Sequence, residues 1–255
     1  PGAGSDLGAI TTRAVREGDS YILDGTKAWI TSAARADFFT IAAKTNLDPK
    51  AGFKGIDMFL VEKGTPGLSV GKKINKVGVV ASETSEITLK DVRVPAENLF
   101  GGKEGSGFAA LREMLNEIRV MPGALGWGLA RAARDESLKY AQQRAAFGKK
   151  IGEFQAIQHK LADMETEIEL SRLMVHYGAW LIDQKLPCNK EAAIAKLYAT
   201  EAAVKAADEA TRIFGAYGMA MEMAPQRFFR DARFLLYGGG TSELLRNIIA
   251  KEMGM

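Results

Sequence analysis

Near Gly105 the periodicity of this 255-residue sequence changes, and that change constrains the fold more than any other feature. Upstream, apolar and polar residues alternate in short runs broken by Gly, Pro and Asp, the pattern of half-buried strands. Residues 19–25 read as a strand closing on an Asp24-Gly25 turn, with 27–31 as its hairpin partner. Residues 37–43 and 55–62 are buried-strand candidates, 85–90 alternates with period two, and 92–95 continues as an edge strand stopped by Pro95. Strands this short and regular predict a small antiparallel barrel or sandwich. Downstream the spacing is three and four. Leu161, Met164, Ile168, Ser171, Val175, Gly178 and Ile182 make one helical seam; Ala193, Leu197, Thr200, Val204, Ala207, Thr211 and Phe214 make a second, with Pro187 between them. A first helix over 108–144 and a short last one over 241–251 complete an antiparallel four-helix bundle. The expectation is an α+β chain of two domains, a β-domain over 1–103 and a four-helix bundle over 104–255.

Composition removes several classes of function. The chain carries 34 Lys and Arg against 31 Asp and Glu, a net charge of +3, without the basic block of a nucleic-acid arm. No apolar run reaches the roughly 20 residues that span a bilayer. Cys188 is the single cysteine, so no intrachain disulfide can form, and a reducing compartment fits. His159 and His176 lie too far apart on one predicted helix to be a metal pair, and no metal is expected. The opening Pro1-Gly2-Ala3-Gly4-Ser5-Asp6 has no Met and reads as the interior of a motif.

The local motifs divide between ordinary and chemical readings. Gly101, Gly102, Gly105 and Gly107 precede a helix, but Gly-Lys-Glu is not the Gly-Lys-Ser/Thr of a phosphate loop, so a plain turn is expected. Phe147-Gly148-Lys149-Lys150 fails the same test, and Cys188 in its loop reads as an inert thiol. Gly238-Gly239-Gly240 leads into Thr241, a plausible N-cap; the amides there either cap a helix or receive an anionic or oxygen-rich ligand. Trp29 and Thr31 share a strand face, either as core with an edge hydroxyl or as a platform for a flat ligand. Gly123, Ala124, Gly126 and Gly128 on the first helix suggest room for a bulky or long group beside it.

Seven strings occur together in order: Pro1-Gly2-Ala3-Gly4-Ser5-Asp6, Gly25-Thr26-Lys27-Ala28-Trp29-Ile30-Thr31, Arg144-Ala145-Ala146-Phe147-Gly148-Lys149, Phe154-Gln155-Ala156-Ile157-Gln158, Gly215-Ala216-Tyr217-Gly218, Arg230-Asp231-Ala232 and Gly240-Thr241-Ser242-Glu243. In these the sequence resembles the acyl-CoA dehydrogenase flavoproteins across nearly its whole length. The resemblance implies the family's middle β-domain and C-terminal bundle, with no counterpart of its N-terminal helical domain. It implies FAD as cofactor, with Trp29 covering the flavin ring and Thr31 donating to N5. Arg144 and Phe147 match a motif reaching a neighbouring subunit's cofactor, and Gln155 an adenosine contact. Gly215 and Ala216 match a glycine pair where FAD meets the bundle, with Ala in place of the usual second Gly; Thr241 and Glu243 match flavin contacts. Ser5, Arg119 and Gly239 match the acyl-CoA site. The family also implies a homo- or hetero-tetramer, an electron-transfer flavoprotein as acceptor, a role in fatty acid metabolism, and a bacterial cytoplasmic or mitochondrial matrix setting, with no nucleic acid or membrane span.

The family reaction is α,β-dehydrogenation of an acyl-CoA thioester, in which a glutamate removes the α-proton and the β-hydride passes to flavin N5. That glutamate stands either two residues before the Thr of the last Gly-Thr, here Gly239, or just before the arginine of the first bundle helix, here Ile118. Neither is a carboxylate. Glu117 is the adjacent candidate base, about 100° around a helix from Ile118 unless Pro122 alters the winding. The other readings are a base from outside this sequence, a carboxylate elsewhere in the bundle, a non-catalytic flavin-site subunit of a mixed oligomer, and a relative with other chemistry such as enoyl-CoA reduction or oxygen use.

Overall fold

The computed structural model describes residues 1–255, apart from the side chains at positions 49, 110, 112 and 113. Two compact units emerge: Pro1–Lys76 with Val80–Glu113, and Val77–Val79 with Met114–Met255.

The first unit is one six-stranded sheet. Its strands are β1 (Arg13–Glu17), β2 (Ser20–Thr31), β3 (Phe38–Lys44), β4 (Ile56–Glu62), β5 (Leu68–Val70) and β6 (Thr84–Pro95), in the order β4-β3-β1-β2-β6-β5. All pairings are antiparallel except a single parallel step, Arg13 with Lys44. The expected barrel or sandwich is thus a single sheet that does not close; its nearest approach to closure is an isolated bridge from Phe59 in β4 to Leu99 beyond β6. The expected hairpin at Asp24-Gly25 is also corrected. The turn lies at Gly18-Asp19, and β2 runs straight through Gly25, where an added Cβ would meet Thr12 Cα at 2.8 Å. A close approach of two backbones, not a turn, requires glycine there. Likewise 85–90 and 92–95 are one strand, β6; β5 pairs only with its Ile87–Leu89 part, and 92–95 pairs with β2 alone. Asp91, with φ +50°, is the extra residue that lets both Leu89 and Val92 face inward. Tyr21, Leu23, Phe39, Ile41, Phe59, Val61, Ile87, Leu89, Val92 and Val94 fill the core. Each such side chain contributes about 1.5–3 kcal/mol by leaving water.

The glycine-rich segment before the first helix is a turn, as expected, and its anion is internal. Asp57, fully buried in β4, accepts from the N–H groups of Gly105 (2.9 Å) and Gly107 (2.9 Å) and from Thr45 Oγ1 (2.7 Å). It thereby occupies the position at the N-terminus of α1 (Gly107–Gln143) that a phosphate would take.

The second unit holds most of α1 with α2 (Gln155–Asp183), α3 (Asn189–Phe214), α4 (Ala224–Leu235) and α5 (Ser242–Glu252). Five helices therefore replace the four expected; α4 is a 12-residue amphipathic helix. The α2 seam is buried as expected at Met164, Ile168, Ser171, Val175 and Gly178. Helix α3 is buried far more widely than one seam, because it lies among α2, α4 and α5. Its alanines allow that close approach. Gly123 and Gly126 serve it too: an added Cβ would meet Ala195 O at 3.2 Å and Ala199 O at 2.7 Å. Gly123 and Gly126 are thus helix contacts, whereas a Cβ added at Gly128 would meet nothing within 4 Å. In α4, Arg230 Nη1 donates to Val77 O (3.2 Å), and Asp231 accepts from Val79 N–H (2.6 Å), so this dipeptide fixes the 77–79 loop.

Candidate flavin and thioester site

In the first unit the feature that stands out is a bulge. Between the pairs Lys27–Ile87 and Ile30–Ser85, β2 carries one residue more than β6, and Trp29 there has φ +60°. A β-strand tryptophan in left-handed conformation is strained by about 1–3 kcal/mol and held only by its surroundings. The bulge turns the indole outward, leaving it 66% exposed, so the core reading of Trp29 is excluded. Thr31, at the end of the same ladder, is exposed as well. Lys27 is drawn the other way: its Nζ donates to Ala42 O at 2.6 Å, and burial pushes its pKa down to about 8. Ser5 is exposed beside the 3-10 turn Leu7–Ala9, which Asp6 caps.

In the second unit the decisive contact lies between α1 and the turn before α5. A Cβ added at Gly239 would sit 3.1 Å from Ile118 O, 3.6 Å from Pro122 Cγ and 3.8 Å from Ile118 Cγ2. The two positions where a base is expected are therefore neighbours in space, and they present hydrogen and an alkyl side chain. Gly239 has φ +74° and Gly240 φ +107°, a backbone that favours glycine. Pro122, lacking an N–H, cannot make the usual helical bond to Ile118 O. Helix α1 continues through it, and Glu117 remains on the exposed side. Thr241 is the N-cap of α5, accepting from Leu244 N–H at 3.3 Å. The Glu243 carboxylate is held below its usual range by its own backbone N–H first and by the Thr241 hydroxyl second.

Two residues behind this turn were not anticipated. Lys196 on α3 is fully buried, and its Nζ donates to Gly240 O (2.8 Å) and Leu236 O (3.2 Å). Glu201, on the same helix, accepts from the Ser242 hydroxyl at 2.6 Å. A lysine in an alanine-rich helix reads as a solvent residue; the available signal was that its neighbours three and four positions away, Ala192, Ala193, Ala199 and Thr200, are all small.

The remaining candidates fall in separate places. Arg144 is exposed at the end of α1, before the hairpin of β7 (Ala145–Ala146) and β8 (Lys149–Lys150). Phe147 sits at the tip of that hairpin, 95% exposed, with its ring 6.3 Å from Phe154, next to Gln155 at the exposed start of α2. Gly215 and Ala216 are exposed just beyond α3. Arg119 instead turns inward. It is 7% exposed, its Nη1 donates to Asn189 Oδ1 at 2.6 Å, and its Nε has no partner among the described residues. Cys188 is buried at the start of α3. No group of three or more metal-ligating side chains occurs among the described residues.

Each unit by itself presents groups whose chemistry suits part of a flavin dinucleotide. Trp29 offers an exposed flat ring on a strained bulge, Thr31 a hydroxyl, Arg144 an exposed fork suited to a pyrophosphate, and Thr241 a helix start.

The family model for the acyl-CoA dehydrogenase middle domain matches residues 1–92, and that for the acyl-CoA dehydrogenase C-terminal domain matches residues 105–254. The chain belongs to the acyl-CoA dehydrogenase family. Benzylmalonyl-CoA dehydrogenase of Aromatoleum aromaticum is 49% identical over 253 residues, which are 99% of this chain and 66% of that protein. The short-chain specific mitochondrial acyl-CoA dehydrogenase of Rattus norvegicus is 44% identical over 253 residues, covering 99% of this chain and 61% of its own length. Among solved structures, the acyl-CoA dehydrogenase from Geobacillus kaustophilus superposes with a TM-score of 0.97 at 38% identity, covering 100% of this chain and 67% of that one. The chain spans about two thirds or less of the length of the curated relatives it matches. The fold class expected from the sequence agrees with these neighbours.

Proposed function

We propose that this chain serves an FAD-dependent oxidation of the Cα–Cβ bond of a CoA thioester whose α-carbon carries a carboxylate, with loss of CO2 in place of proton abstraction. The observation that carries this reading is Gly239 against Ile118. Neither position holds a carboxylate, so neither supplies the base that an ordinary acyl thioester needs. A 2-carboxyacyl thioester needs none. Its Cα–CO2⁻ bond breaks heterolytically, CO2 leaves, and the freed electron pair becomes the Cα=Cβ bond as the β-hydrogen departs with its own pair. FAD, when bound, supplies the two-electron acceptor for that hydrogen. The name benzylmalonyl-CoA describes a thioester of this class, and that relative is 49% identical to this chain.

The chain's own residues have defined tasks in this reading. Gly239 keeps side-chain atoms out of the space beside Ile118, and the Ile118 alkyl group withholds hydrogen bonds from a carboxylate there, favouring neutral CO2 over the ion. Trp29 and Thr31 fit the flavin ring, Arg144 and Gln155 its pyrophosphate and adenosine, and Thr241 with the α5 start its polar edge. An electron-transfer flavoprotein as acceptor and a tetramer belong to the same proposal. The exposed α2 stripe of Leu170, Leu173, Tyr177 and Trp180 supports self-association.

The test is anaerobic titration of the flavin-loaded protein with matched thioesters, one carrying the α-carboxylate and one lacking it. Flavin bleaching by the first alone supports the reading. Equal bleaching by both, abolished in Glu117→Gln, would assign the base to Glu117 and overturn it. Bleaching by neither would favour the non-catalytic subunit.

A further inference from the structure

We infer that Lys196 is a positioning residue: from the middle of α3 it holds the Gly238-Gly239-Gly240 turn, and with it the start of α5, in the conformation the candidate site uses. Burying an ammonium is costly unless its donors are satisfied. Here the group is fully buried, and it donates to the carbonyl of Leu236, before the three glycines, at 3.2 Å and to that of Gly240, the last of them, at 2.8 Å. Three consecutive glycines have little intrinsic preference for one backbone conformation, yet Gly239 and Gly240 are held at φ +74° and +107°. The fixing must come from outside the turn, and Lys196 supplies it. Glu201, five positions on, holds the other end through the Ser242 hydroxyl at 2.6 Å. Gly239, against Ile118, stands between the two carbonyls that Lys196 holds, and Thr241, the α5 cap, stands between Gly240 and Ser242. The acidic side chains near Lys196 are Glu201 and Glu243. Methionine of similar volume would fill the same space, so packing alone does not call for a lysine.

The proposal concerns the turn and stands without the functional reading; only its consequence for turnover rests on that reading. The test is amide hydrogen exchange of the flavin-loaded protein with Lys196→Met, beside kcat and KM. The expected result is exchange faster by about tenfold or more at 238–243, while buried amides of α2 and α3 change less than about twofold. Turnover on a 2-carboxyacyl-CoA is then expected to fall in kcat with KM and flavin content near wild type. Lys196→Gln, which keeps a shorter donor, is expected to lie between Met and wild type. Uniformly faster exchange along α3, unchanged exchange at 238–243, or failure of both variants to fold would overturn the positioning role. Altered exchange with no turnover in the wild type would uphold it and strike only the functional reading.

Discussion

At the scale of single residues, the account turns on two positions that hold no functional group. Ile118 and Gly239 meet where a carboxylate is expected. Putting one back should restore ordinary chemistry: Ile118→Glu is expected to raise flavin reduction by an acyl-CoA lacking an α-carboxylate by about 10²-fold, the usual worth of a placed general base. Stopped-flow bleaching measures it, and no gain in a correctly folded variant would mean that the site lacks more than a base. Gly239→Glu is the poorer route, since φ +74° disfavours any side chain there. Trp29 gives the complementary test. Because its ring is 66% exposed, Trp29→Ala is expected to leave the sheet's stability nearly unchanged and to weaken flavin binding by about tenfold, in line with an aromatic stacking contact. Equilibrium titration of the apoprotein with FAD reads the effect. The indole's role was ambiguous in the sequence because strand alternation cannot foresee a bulge; the bulge is what turns it outward.

At the scale of elements, what was legible followed from periodicity. The two long helical seams, the first helix and the N-cap of α5 could all be read, because three-four spacing and a Thr after glycines are local signals. Three elements could not. Asp24-Gly25 is a strong turn signal, but the packing of Thr12 against Gly25 is a tertiary fact and overrides it. Helix α4 escaped because it is short: its buried stripe of Pro225, Phe228, Ala232 and Leu235 covers only about three turns. The carboxylate that serves the glycine-rich turn was hidden because Asp57 lies some fifty residues upstream, in β4. That junction carries a prediction. Asp57→Ala would leave the N–H groups of Gly105 and Gly107 and the Thr45 hydroxyl without their acceptor. Denaturant unfolding is expected to show a loss of about 2–4 kcal/mol, and a loss under about 0.5 kcal/mol would show that water replaces the carboxylate. The proposed cofactor roles, by contrast, rest on family resemblance alone: the exposed Arg144, Phe147 and Gln155 carry no chemical pattern of their own.

At the scale of the whole molecule, each unit buries one lysine deeply enough to shift its titration. Burial pushes Lys27 in the sheet and Lys196 in the bundle down to about 8 from an ordinary 10.5. Below pH 8 both folded and unfolded chains hold these protons, and the folded state bears the full cost of burying the charge. Between about pH 8 and 10.5 the folded chain has released them and the unfolded chain has not, so the lysine contribution to stability rises with pH across that window. The difference in unfolding free energy between wild type and Lys27→Met or Lys196→Met is therefore expected to shift towards wild type from pH 8 to 10.5. A flat difference would mean that the lysines stay charged.

The central claim is that breaking the Cα–CO2⁻ bond replaces a base, and one label tests it directly. A 2-carboxyacyl-CoA carrying ¹³C in the α-carboxylate is mixed with the flavin-loaded protein without oxygen, for a single turnover. The account predicts one ¹³CO2 released for each flavin reduced, at the same rate. Flavin reduction with the label retained in the thioester product would contradict it.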